Sequence, residues 1–118
     1  MRREIFIYYN GNLIHKEIKK SDIGRCTIKT LEKFNNLNED TFEFLRQDRT
    51  SRFDLLKQKS EVTDNEEKYR KYRVHRKPEV IFKGMEFYVA RNWGKSNTER
   101  FIEKMKNRFP NLEYENIG

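Results

Sequence analysis

Cysteine, proline and histidine are scarce in this 118-residue chain, which holds one Cys, two Pro and two His. A single thiol, Cys26, excludes an internal disulfide framework and any multi-thiolate zinc site. It sits near a predicted helix start and reads as a small buried or semi-buried residue. With only His15 and His75 beside it as soft ligands, no metal and no cofactor is expected. Glu17-Ile18-Lys19 has the Glu-x-Lys spacing of half a nuclease site, but no clear upstream Asp completes it.

Long apolar runs are also missing. The longest, Ile5-Phe6-Ile7-Tyr8-Tyr9, is far short of a membrane span. Met1-Arg2-Arg3 begins like a signal peptide, yet the short apolar stretch that follows is no h-region. An intracellular, cytoplasmic location without a membrane partner is expected. No Gly- or Pro-rich linker and no repeat divides the chain, so a single domain over residues 1–118 is expected. Gly84 and Gly94 lack P-loop spacing.

Charge and aromatic rings are what the chain does have. It carries 26 Lys+Arg against 19 Asp+Glu, a net charge of +7, with 38% charged residues and a mean hydropathy of −1.09. Ile, Leu, Val and Phe still make up 29 of 118 residues, above the roughly one-fifth level at which charged chains stay disordered. Nine Phe, six Tyr and one Trp supply large buried areas per residue. The balance favours a small folded domain.

The charge is concentrated. Residues 68–77 read Lys-Tyr-Arg-Lys-Tyr-Arg-Val-His-Arg-Lys, with six cations and no acid, leaving 20 basic against 19 acidic residues elsewhere. A concentrated patch makes a local field that diffuse charge does not. Lys68, Arg70, Lys71, Arg73, Arg76 and Lys77 suit phosphates, and the interleaved Tyr69 and Tyr72 suit unpaired bases. The plainer alternative is a charged edge strand, since Lys and Arg protect sheet edges. Just upstream, Glu61, Asp64, Glu66 and Glu67 form an acidic stretch that can fold back and neutralise part of the block.

Asn10-Gly11 is a two-residue hairpin signal between strands at 4–9 and 12–18. The simple register puts Ile5, Ile7, Ile14 and Ile18 on a core face and Phe6, Tyr8, Leu13 and His15 on the other. That second face is either covered by a helix or open as a stacking surface. Ile28, Leu31, Phe34 and Leu37 predict a short helix after Ser21-Asp22. Phe42, Leu45, Phe53 and Leu56 predict a second near 40–58, with Asp40 and Glu43 at capping-box spacing and Arg46, Arg49 and Arg52 on a neighbouring face. Those arginines extend the basic patch or, the reading favoured for exposed helix charges, pair with Asp48, Asp54 and the acidic stretch.

Residues 60–67 read as a polar loop. A second hairpin is predicted over 79–90 across Lys83-Gly84, then a helix opened by a Ser96–Glu99 capping box and stopped by Pro110, then a short strand at 112–114. The expectation is an α+β fold in ββααββαβ order, with a mainly antiparallel sheet of two hairpins plus a C-terminal strand, packed with two to three helices.

The segment Arg91-Asn92-Trp93-Gly94-Lys95 joins a strand end to a helix start, where free N–H groups favour anions. Arg91 and Lys95 add charge. Trp93 is read first as a core plug and second as a stacking ring. His75 lies among cations that disfavour its protonated form, which suits a general base, and it is the one candidate for ribonuclease chemistry. Enzymatic activity is nonetheless the weaker expectation.

The leading expectation is a nucleic-acid-binding module, tilted slightly to single strands, using Lys68, Tyr69, Arg70, Lys71, Tyr72, Arg73, Arg76, Lys77, Arg91, Trp93 and Lys95. The alternative is an interaction module or inhibitor whose basic strand meets an acidic protein partner, such as a nucleic-acid enzyme, by edge addition. Acids at 61–67 covering the block would favour that alternative. A homodimer on an exposed strand edge fits a chain of this size.

Overall fold

The Asn10-Gly11 dipeptide sets the first pair of strands. Its residues take φ of 53° and 79°, the left-handed backbone a two-residue reversal needs. In the computed structural model, which describes residues 4–47 and 55–117, they join β1 (Glu4–Tyr9) to β2 (Asn12–Ile18). Pairing starts as expected, with Tyr9 opposite Asn12 and Tyr8 opposite Leu13, and then slips. Ile7 faces His15 instead of Ile14, and Ile5 faces Ile18. Bulges in β2, where Glu17 has a φ of 53°, cause the shift. They carry His15 off the expected outer face, and its ring lies near the Cys26 backbone of the first helix. Half-buried Phe6 and Tyr8 and exposed Leu13 stay behind without it.

That helix, α1 (Ile23–Lys33), follows a 3-10 turn at Lys20–Asp22. Ile23, Ile28 and Leu31 are wholly buried, each contributing about 1.5–3 kcal/mol by leaving water. The buried Thr27 hydroxyl is satisfied by the Tyr114 hydroxyl at 2.7 Å. Tyr114 belongs to β6 (Leu112–Ile117), which pairs with the free edge of β1 to give the order β2-β1-β6. Phe34, just past α1, stacks on Tyr9 at 4.2 Å.

The second predicted helix is shorter than its pattern suggested. α2 (Glu39–Arg46) ends early, and Leu56–Lys57 form a strand, β3. Leu56 pairs with Val89, and the Ala90 N–H donates to the Leu55 carbonyl at 2.8 Å. Phe42, Leu45 and Leu56 thus reach one core from two elements, which mimics a single helical face. The cap is Asn38, whose side chain accepts from the Thr41 N–H at 2.9 Å, so Asp40 lies inside the first turn. Phe53, Arg49, Arg52, Asp48 and Asp54 lie outside the described residues. Arg46 approaches Glu61 at 3.8 Å and covers the Phe87 ring.

Residues 59–68 are ordered rather than a plain loop: a 3-10 turn at Lys59–Glu61 leads to α3 (Asp64–Lys68). Thr63 and Glu66 exchange side-chain and backbone hydrogen bonds, a reciprocal capping box. The second hairpin is β4 (Val80–Phe82) and β5 (Met85–Val89), turned by Lys83 and Gly84 at φ of 50° and 78°. Its sheet has the order β3-β5-β4. Two antiparallel three-stranded sheets therefore stand where one was expected, because β6 returns to β1 and β3 adds to β5.

α4 (Lys95–Arg108) buries Phe101 and Met105 and stops before Pro110. It is capped by Gly94, not by the expected Ser96–Glu99 box, and both the N–H and the hydroxyl of Thr98 donate to the Gly94 carbonyl. The buried Trp93, its Nε1 donating to the Ala90 carbonyl at 3.0 Å, draws the preceding loop inward and starts the helix there. Among the described residues no helix is long and apolar enough to cross a membrane.

One hydrophobic cluster joins both sheets, and α1 meets the second sheet at Gly24. A Cβ there would stand 2.9 Å from the Trp93 ring and 3.0 Å from the Leu55 and Val89 side chains. Gly24→Ala is therefore expected to lower stability by about 1–3 kcal/mol through overpacking. Urea unfolding checks this, and an unchanged midpoint would refute the close contact.

Candidate nucleic-acid interface

The basic block is not a strand. Lys68 ends α3, and the chain then reverses through Arg70, which has a φ of 53°. The Arg70 N–H donates to the Glu67 carbonyl and the Lys71 N–H to that of Glu66, a Schellman closure of the helix. A turn follows, with the Arg76 N–H on the Arg73 carbonyl. Edge addition through 68–77 falls away with the strand.

The segment instead wraps against β5 and the loop after it. Tyr72 is only 2% exposed and anchors the wrap in the core, so it offers no stacking face. The Arg91 N–H donates to the Lys71 carbonyl at 2.8 Å, and Asn92 Nδ2 to the Tyr69 carbonyl at 2.8 Å. At the far end the Tyr88 hydroxyl donates to the Arg76 carbonyl at 3.0 Å and lies 3.2 Å from that of Val74. Glu79 Oε2 accepts from the Val89 N–H at 2.7 Å.

This wrapping produces a cleft of about 470 Å³ lined by Glu67, Arg70, Tyr72, Arg73, Val74, His75, Arg76 and Arg91. Arg91 also lines a neighbouring hollow of about 450 Å³ with Lys20, Ser21, Asn92, Trp93 and Gly94. Four arginines from two separate segments thus share one concavity. Asp22 sits behind them, 3.9 Å from the Arg73 guanidinium and 3.5 Å from Arg25 Nε. Burial disfavours the charged form of Arg91, as does Arg73, while Asp22 and Glu79 oppose the effect. Burial pushes the Glu79 carboxyl up, against the pull of the Val89 N–H, Arg73, Arg25 and Arg91. Arg91 Nε is buried and has no hydrogen-bond partner among the described residues.

Of the residues expected at the site, Arg70, Arg73, Arg76, Arg91 and His75 come together. Lys68, Lys77 and Lys95 are exposed but line neither hollow. Tyr69 is 66% exposed, with the Lys68 ammonium 5.7 Å from its ring centre. Trp93 is a core residue packed edge-on to Phe101, so it acts as the core plug and offers no stacking ring. Asp22, Glu67 and Glu79 went unrecognised as parts of the site. Only Glu67, in the acidic stretch, carried a signal in the sequence.

The acidic stretch neutralises little of the block. Glu61 turns to Arg46, and Glu66 takes Lys57 at 2.8 Å and Lys71 at 3.6 Å. Among the described residues Lys68, Arg70, Arg76 and Lys77 make no ion pair. No protein-family model matches the chain, and comparisons with curated proteins and with solved structures give no match either.

Burial opposes ionisation of Glu66, but hydrogen bonds from Lys57 and Thr63 outweigh it and hold the carboxyl down at about 2. A carboxyl depressed from its usual 4.5 stabilises the fold above that value and loses the contribution as pH falls toward about 2. Urea titrations across this window should show wild type converging on Glu66→Gln as the acid is protonated. A constant gap between them would contradict the assignment.

Proposed function

We propose that the protein binds single-stranded nucleic acid through the arginine cleft and the cations around it. The observation that carries this reading is the convergence of Arg70, Arg73 and Arg76 from one segment with Arg91 from another around a single cavity. Guanidinium groups suit phosphate oxygens because their planar donors bind two at a time. Exposed Lys68 and Lys77 flank the cleft in sequence and extend the charge along a backbone. Tyr69 supplies the one exposed tyrosine ring of the block, and stacking on it accepts any unpaired base. Of the Glu61–Glu67 acids, Glu66 pairs with Lys71 and Glu67 lines the cleft, yet Lys68, Arg70, Arg76 and Lys77 make no ion pair among the described residues, which favours this reading over an acidic protein partner.

Anisotropy with labelled single-stranded RNA, single-stranded DNA and duplex DNA at several salt concentrations tests it. Four to six phosphate contacts predict a log–log salt slope of roughly −3 to −4 on single strands. Neutralising Arg70 and Arg76 together should flatten that slope by about 1.4. No binding at low salt would refute the reading.

Tyr69→Ala separates stacking from charge. It should weaken single-strand binding by roughly 5- to 100-fold, in line with the loss of one stacked base, while leaving the salt slope and the unfolding midpoint unchanged. Unaltered affinity would remove Tyr69 from the interface.

A further inference from the structure

The cleft is a pocket rather than a track, and arginines from two segments converge on it. An internal phosphodiester brings a single negative charge. A terminal phosphomonoester brings about −1.5 to −2 and three strong acceptor oxygens. Asp22 and Glu79 partly neutralise Arg73 and Arg91, but Arg70 and Arg76 make no ion pair among the described residues, and together the four arginines offer enough planar donors for the three oxygens of a terminal group. At about 470 Å³ the cleft lies within the range of small-ligand pockets, large enough for more than a bare phosphate. Glu67 would repel a second phosphate but accept hydrogen bonds from sugar hydroxyls or a base amine.

Resting on the nucleic-acid reading above, we propose that the arginine cleft is an end-binding site that holds the terminal phosphate of a nucleotide in preference to the internal backbone. The nucleotide can be the end of a strand or a free mononucleotide, since both present the same monoester. The phosphate sits among Arg70, Arg73, Arg76 and Arg91, and the attached sugar and base lie toward Glu67.

The test compares short single strands of one sequence, labelled internally, that end in hydroxyls, in a 5′-phosphate or in a 3′-phosphate, by anisotropy at one salt concentration. One phosphorylated end should bind at least about tenfold more tightly than the hydroxyl-ended strand. Arg70→Gly and Arg91→Gln should each pull that ratio toward one. Arg70→Gly suits the left-handed backbone at that position and keeps the test sound if the Arg91 variant does not fold. Equal affinity for all three strands would overturn the end-binding inference and leave nucleic-acid binding standing. No binding of any strand would overturn both. If a nucleoside monophosphate abolishes the phosphate-dependent increment, the site takes free nucleotides. If it competes only weakly beside a phosphorylated strand, the site is for strand ends. Either result supports recognition of the monoester.

Discussion

The close approach of α1 to the second sheet at Gly24 is the constraint on which the rest of the molecule depends. Trp93, Leu55 and Val89 all press on the space where a side chain would stand. Because α1 also packs on the first sheet, this contact fuses two small antiparallel sheets into one core. It also fixes the neighbours of Gly24. Asp22 and Arg25 flank it in sequence, and its packing partner Trp93 lies two residues from Arg91. The packing at Gly24 thus positions Asp22 and Arg91 of the candidate site.

Electrostatics at the site follows from this geometry. Gathering four guanidinium groups around one cavity is unfavourable in itself, and two carboxylates from the scaffold, Asp22 and Glu79, offset part of the repulsion. They do so from behind the cleft, without covering Arg70 and Arg76. Glu66 does a different job. It ties Lys57 of β3 to Lys71 of the wrap and caps α3, so it orders the segment that presents the arginines. The acidic stretch beside the basic block is therefore chiefly structural.

The hairpins, α1, α4 and the final strand were legible in the sequence because turn residues and apolar spacing act locally. Asn10-Gly11 and Lys83-Gly84 are strong local signals, and both turns formed. Where the sequence misled, a non-local contact won. Leu56 fits the repeat of a helix, yet its pairing with Val89 makes it a strand. His15 was placed by counting in twos, and the bulges in β2 moved it. The composition of the basic block pointed to its cations, but its shape depends on the Tyr72 anchor and on hydrogen bonds from Arg91, Asn92 and Tyr88. A run of alternating cations and tyrosines does not disclose which rings face inward.

If residues 69–76 and Arg91 form one anion-binding concavity, a single ligand must perturb all four of its arginines together. Nuclear magnetic resonance titration with a short 5′-phosphorylated single strand tests it most directly, by following backbone amides together with the Arg Nε–H signals. Arg70, Arg73, Arg76 and Arg91 are expected to shift in concert, with one binding constant, while Phe6, Tyr8 and Leu13 on the outer face of the first sheet stay still. Shifts centred on that sheet face, or arginine signals that move independently of one another, would contradict it.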